Sequence, residues 1–169
     1  MKNFCFVLSL AAFAQIAPVT VGKAPNSSAF ASKVYFAGQP EAADFAEYAK
    51  LGVRVVINLR MPAEMEKVAF NEAEAAKAAG LEYVSVPFGS TPATDEDLAK
   101  IFSYLAKSGD SKVLVHCASS NRAGFVWSLY RGTAEGVNTE DALAEGKQAG
   151  LRSLEKSARE RLEAGAAKK

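Results

Sequence analysis

The chain has 169 residues, Ala-rich, with 20 Lys+Arg against 19 Asp+Glu and a formal net charge of +1. That length holds one domain with a full core and is too short for two of ordinary size. Balanced charge without a basic stripe gives a nucleic-acid partner no electrostatic support, and no apolar run reaches the ~18 residues of a spanning helix.

Lys2 precedes a short apolar stretch, Phe4-Cys5-Phe6-Val7-Leu8-Ser9-Leu10-Ala11-Ala12-Phe13-Ala14, which closes on a small-x-small step. This is the layout of a secretory signal peptide. We expect it over residues 1–17, with Ala17 and Ala31 following further plausible cleavage steps. The expected location is periplasmic or secreted, with no stable membrane anchor after signal removal. Cys5 would leave with the signal, so the mature chain would keep Cys117 alone. In an oxidising compartment that cysteine has no internal disulfide partner. It is then either a buried hydrophobe or a functional thiol.

Residues 18–32 are small and polar and are expected to form a flexible leader. One domain is expected over 33–163, with a frayed tail at 164–169. Val34-Tyr35-Phe36 is a short strand ended by Gly38. Glu41 to Leu51 is a helix closed by Gly52. Val53 to Leu59 is apolar and β-branched, as in a strand buried on both faces. Pro62 starts a helix through Ala79, closed by Gly80. Leu81 to Val86 is a strand stopped by Pro87.

Thr94 to Lys107 is a helix, with Thr94 and Asp97 spaced as a capping box and Leu98, Ile101, Phe102 and Leu105 on one stripe. Lys112 to His116 is a strand. An apolar helix runs from about Arg122 to Glu135, and two more lie near Asn138 to Ala149 and Ser153 to Glu163. The alternation predicts a three-layer α/β fold: a mostly parallel central sheet of four to five strands with helices on both faces.

Ligands of such sheets sit beyond the carboxyl ends of strands. There the sequence reads His116-Cys117-Ala118-Ser119-Ser120-Asn121-Arg122-Ala123-Gly124. Backbone amides and the dipole of the next helix favour an anion at that point. The same field favours the thiolate form of a thiol placed in it. Arg122 adds a forked cation suited to a tetrahedral oxyanion. This constellation suits attack by sulfur on a substrate carrying anionic oxygens. One histidine and one mature cysteine make no metal site, and no cofactor is expected.

His116-Cys117, a short loop and Arg122 resemble the protein tyrosine phosphatase superfamily, with its dual-specificity-like fold. Upstream, Ala37-Gly38-Gln39-Pro40 and Leu51-Gly52-Val53-Arg54-Val55-Val56-Ile57-Asn58-Leu59-Arg60 with Glu64 resemble the bacterial beta-lactamase-hydrolase-like, phosphatase-like family. Tyr83-Val84-Ser85-Val86-Pro87 continues the likeness. The resemblance implies Cys117 as nucleophile, Arg122 as oxyanion binder and His116 as the residue orienting the loop. Ala118, Ser119, Ser120 and Asn121 would bind the substrate. Arg60 would either contact the substrate or pair with Glu64.

The pattern also departs from those phosphatases. Four residues separate Cys117 from Arg122 where they have five, a spacing shared with rhodanese-type sulfurtransferases, whose loops often end in Asn-Arg. Their general acid, an Asp about thirty residues before the cysteine, has no counterpart in Pro87-Phe88-Gly89-Ser90. Asp95 and Asp97 are the weak candidates, and both also suit the start of the next helix. Ala123 replaces the usual hydroxyl after the arginine, so Ser119 or Ser120 would substitute. The loop lacks glycine, and Asn121 is the residue best suited to a left-handed turn. Three functions follow: a cysteine-dependent phosphatase acting on a phosphorylated or other anionic substrate, a sulfurtransferase carrying a Cys117 persulfide, or a non-catalytic anion-binding module.

Overall fold

The computed structural model describes residues 15–89 and 93–166. Strands β1 (Ile16–Pro18), β2 (Ser28–Phe30), β3 (Val34–Ala37), β4 (Val53–Asn58), β5 (Glu82–Ser85) and β6 (Lys112–His116) form one sheet in the order β1-β2-β3-β6-β4-β5. β3, β6, β4 and β5 are mutually parallel, and β1 and β2 add an antiparallel edge. Side chains alternate across the central strands. Val34, Phe36, Val55, Ile57, Val113 and Val115 go to one core. Tyr35, Ala37, Val56 and Leu114 go to the other. Burial on both faces is why these runs are almost wholly apolar.

Helices α1 (Asp44–Lys50), α2 (Pro62–Met65), α3 (Glu72–Ala78), α4 (Asp95–Leu105), α5 (Asn121–Leu129), α6 (Thr139–Gln148) and α7 (Glu155–Ala166) complete the chain. α1 and α3 cover the second core, and α4 to α7 cover the first. The predicted three-layer α/β plan holds, with six strands instead of four to five. The additional strands are β1, which straddles the expected signal peptide and leader, and β2, which lies within the expected leader. Ile16, Val21 and Ala29 are buried, and β2 pairs with β3 through Ser28 to Phe30. Most of the expected signal peptide lies outside the described residues, but Ile16 and Ala17 belong to β1.

Three helical expectations change. Residues 62–79 form two helices, because Asn71 caps α3 by accepting from the Glu74 amide at 3.2 Å. Phe70 meanwhile turns inward onto Phe45, edge to face with centroids 6.4 Å apart. Past Leu129 the chain widens into a π-helical turn, Tyr130–Ala134. α7 continues to Ala166, into the stretch expected to fray.

α5 and α6 cross on small residues. A Cβ on Gly124 would lie 2.3 Å from the Leu151 nitrogen and 2.5 Å from the Gly146 oxygen. Both are backbone atoms and cannot rotate away. Gly124→Ala is therefore expected to destabilise the protein by about 2 kcal/mol or more, overriding the ~1 kcal/mol that alanine gains in a helix. Urea unfolding checks this; a raised midpoint would refute the crossing as drawn.

Candidate active site

β6 ends level with its two neighbours. Ala37 of β3 and Asn58 of β4 both lie beside His116. Cys117 therefore leaves the sheet between the ends of two strands, buried, with its amide on the Ala37 carbonyl at 3.3 Å. Ala118 and Ser119 are exposed, and α5 begins at Asn121.

The left-handed residue is Ser120, at φ 70°, and not Asn121 as expected. Gly150 explains the choice, since a Cβ there would sit 2.6 Å from the Ser120 Cβ. Ser120 is fully buried, and its hydroxyl donates to the Ala149 carbonyl at 2.7 Å. That bond offsets the ~1–2 kcal/mol strain of a left-handed non-glycine residue. It also turns the hydroxyl away from α5, whose first turn has no side-chain cap. The first-turn amides of a helix have no intrahelical partner and suit an anion. Asn121 instead ties the loop to the α6–α7 connection, accepting from the Arg152 amide and donating to Ser153 Oγ, both at 2.7 Å.

Arg122 is largely buried, its side chain 12% exposed. Nη1 donates to Phe88 O at 2.8 Å, Leu59 O at 3.1 Å and Glu64 Oε2 at 2.7 Å; Nη2 donates to Glu64 Oε1 at 2.7 Å. The guanidinium is thus fixed before any ligand arrives, with Nε–H and one Nη2–H outside this set. Burial alone would lower its pKa, but Glu64 and the charge of Cys117 outweigh burial and raise it. The Arg122 hydrogen bonds, aided by the Met61 amide, hold the Glu64 carboxyl down to about 2 against burial.

His116 is fully buried, with Nε2 3.0 Å from Glu72 Oε1. Glu72 also accepts from Gln39, whose amide oxygen accepts from Arg60. Arg60 Nη2 donates to the Glu64 carbonyl at 3.1 Å, and its Nε lies 3.6 Å from Glu64 Oε1. A continuous polar chain thus runs His116–Glu72–Gln39–Arg60–Glu64–Arg122 around the base of the loop. Burial pushes Glu72 upward, but the hydrogen bond and charge of His116, with Gln39 and Tyr83, bring its pKa down. Tyr83, raised to about 12 chiefly by burial, accepts from Asn58 Nδ2 at 2.7 Å.

The sequence placed Cys117, Arg122, His116 and the loop together, and so does the fold. Arg60 is occupied by Gln39 and Glu64. Asp97 closes the Thr94 capping box, with Thr94 Oγ1 donating at 2.8 Å, and Asp95 pairs with Arg161. Sequence reasoning missed Glu72, Gln39, Asn58 and Tyr83 as members of the site. Gln39 had a signal in the Gly38-Gln39-Pro40 turn after a strand; Glu72 had only the cap at Asn71.

Glu64 sets an acid limit. Its folded pKa of about 2 lies below the ordinary 4.5, so its stabilisation is present above 4.5 and is lost as pH falls towards 2. Glu64→Gln should flatten the fall in melting temperature between about pH 5 and pH 2. An acid limb as steep as the native one would contradict the Glu64–Arg122 pair.

Against known proteins, the family described as Beta-lactamase hydrolase-like protein, phosphatase-like domain, matches residues 28–134. The Beta-lactamase hydrolase-like protein of Xylella fastidiosa (strain Temecula1 / ATCC 700964) is 36% identical over 99 residues, covering 57% of this chain and 23% of its own length. The chain thus spans about a quarter of the length of the curated relatives it matches. Among solved structures, a DUF442 protein of Shewanella putrefaciens CN-32 aligns with a TM-score of 0.67 at 24% identity, covering 86% of this chain and 91% of that one. P. aeruginosa TpbA aligns at 0.70 and 20%, covering 90% and 91%, and a Cys-to-Ser form of TpbA has been solved in complex with pTyr. These structural likenesses establish the dual-specificity-phosphatase-like fold.

Proposed function

Because the chain belongs to the phosphatase-like domain family of Beta-lactamase hydrolase-like proteins, we propose that it is a cysteine-dependent phosphatase. Cys117 attacks phosphorus, the alkoxide or phenoxide leaves, and water hydrolyses the phosphocysteine to release phosphate. The observation that carries this reading is Arg122, pinned by Glu64 and two carbonyls at the far end of the loop that begins at the buried Cys117. A cation held at the nucleophile stabilises the charge on the equatorial oxygens without reorganising. The pTyr complex of TpbA supports a phosphorylated substrate.

The stretch Pro87 to Ser90 contains no carboxylate, and Asp95 and Asp97 are engaged at the start of α4. A leaving group that departs without a proton therefore suits this site, which favours aryl over alkyl phosphates. The sulfurtransferase reading draws on one feature, the four-residue loop ending in Asn121-Arg122.

A paired assay tests both readings, with p-nitrophenyl phosphate and an alkyl phosphate on one side and thiosulfate with a thiol acceptor on the other. Aryl phosphate should turn over, the alkyl ester more slowly by about 10²–10⁴-fold, the usual worth of a general acid. Thiosulfate should not react. Sulfur transfer without phosphate release would overturn the proposal.

A further inference from the structure

Among the described residues two large apolar side chains are exposed, Leu51 at 42% and Met61 at 39%. Leu51 precedes β4, at the end of the sheet away from Cys117. Met61 lies just past the carboxyl end of β4, the end where Asn58 sits beside His116. A single exposed apolar residue is ordinary on a protein surface. Its address is what gives Met61 a consequence.

That address is fixed from two sides. The Met61 amide donates to Glu64 Oε2 at 2.9 Å, and the same oxygen accepts from Arg122 Nη1 at 2.7 Å. One shared acceptor therefore separates the Met61 backbone from the guanidinium. The side chain reaches towards Gly89, where a Cβ would lie 3.6 Å from Met61 Cγ and 4.0 Å from Sδ. Gly89 follows Phe88, whose carbonyl accepts from Arg122 Nη1 at 2.8 Å. The thioether thus spans from the β4–α2 turn to the segment leaving β5, beside two of the groups that pin Arg122. Pro62 and Pro87, the exposed residues next to Met61 and Phe88, are uncharged as well.

An exposed thioether gains nothing from water. Its apolar area becomes favourable once something covers it, at about 25 cal/mol per Å². Methionine is unbranched and polarisable, adapts its shape to a neighbour and makes favourable contacts with aromatic rings. When Arg122 holds the oxyanion, the group hanging from phosphorus is what can reach this rim.

We propose that Met61 is a specificity-determining contact, forming one wall of a subsite for an aromatic leaving group beside the anion held by Arg122. The anion site rests on the phosphatase reading above; the aromatic subsite rests on Met61, independently of the missing carboxylate.

Phenylphosphonate and methylphosphonate share an anion and resist hydrolysis, so together they separate the ring from the oxyanion. Calorimetry on the native chain, Met61→Gln and Met61→Leu tests the subsite. Both substitutions leave the backbone amide that holds Glu64. The native chain should prefer phenylphosphonate by about three- to tenfold, the scale of a sulfur–aromatic contact. Glutamine, similar in length but polar, should cut that preference below about twofold, while leucine should keep it. Methylphosphonate should bind all three alike. The KM for p-nitrophenyl phosphate should rise in Met61→Gln at unchanged kcat. A native preference that survives in the glutamine variant overturns the subsite. So does equal weakening of both phosphonates, which would place the effect on Arg122, and so does a leucine variant as impaired as glutamine. The expected preferences without aryl phosphate hydrolysis support the subsite and overturn the phosphatase reading. A native chain that binds neither phosphonate overturns the anion site and the subsite together.

Discussion

Cys117→Ser is expected to lower aryl phosphate hydrolysis by about 10⁴-fold or more, the scale seen when a nucleophile is removed, while phosphate binding stays within a few-fold of native. Sulfur to oxygen is a small change of size in a buried position, so the loop keeps its shape. In the proposed mechanism the donors to the anion are backbone amides and Arg122, and neither involves the substituted atom. What is lost is the nucleophile. A hydroxyl needs a base to remove its proton, and the carboxylates nearest the loop are committed. Glu72 is engaged by His116 and Gln39, and Glu64 is bound twice by Arg122. Steady-state rates and phosphate calorimetry on the same preparation decide the matter. Residual activity within tenfold of native would remove Cys117 from the chemistry. Loss of phosphate binding in step with rate would mean that the substitution disturbs the cradle.

The second large effect is on stability. Glu72→Ala is expected to cost about 3–5 kcal/mol, the range for breaking a buried ion pair by deleting one partner. Glu72 and His116 are both almost completely buried, and water cannot replace the lost carboxylate. The Gln39 side-chain amide loses one of its two acceptors in the same step and keeps the Pro40 carbonyl. For a chain of this size, that corresponds to a melting temperature roughly 10 °C lower. Glu72→Gln, which keeps the volume and an acceptor oxygen, should lose much less. A change below about 1 kcal/mol for the alanine variant would show that the pair adds little beyond its own desolvation.

Much of this was legible in the chain. β4 and β6 announced themselves because strands buried on both faces need unbroken apolar runs. The Thr94–Asp97 cap is local and follows from residue spacing. The order strand, His-Cys, polar loop, Arg, apolar helix determines a site because helix and strand geometry leave few other placements. What stayed hidden depends on distant partners. β1 and β2 are three residues each, their stretch anchored by Ile16, Val21 and Ala29, and Pro25-Asn26-Ser27-Ser28, which leads into β2, has the composition of a loop. Glu72 has the sequence surroundings of a solvent-facing charge on a helix; only His116, 44 residues on, makes its burial tolerable. Intrinsic preference chose Asn121 for the left-handed position. The fold assigned it to Ser120, because Gly150 leaves room there and Asn121 is needed by Arg152 and Ser153.

Those long reaches bear on how the molecule comes into being. The bonds that shape the loop span 93 residues to Asn26, 58 to Glu64, 34 to Phe88 and 31 to Arg152. β6, the strand that carries Cys117, enters the sheet between β3 and β4, both made long before it. Closing loops of that length is entropically slow, and chains dominated by such contacts fold slowly. A fragment holding only Cys117 to Arg122 has nothing to bend it into a cradle. On a growing chain the shape of this loop is a late property, absent until Ser153 has emerged and the β1–β2 hairpin, β3 and β4 have already found their places.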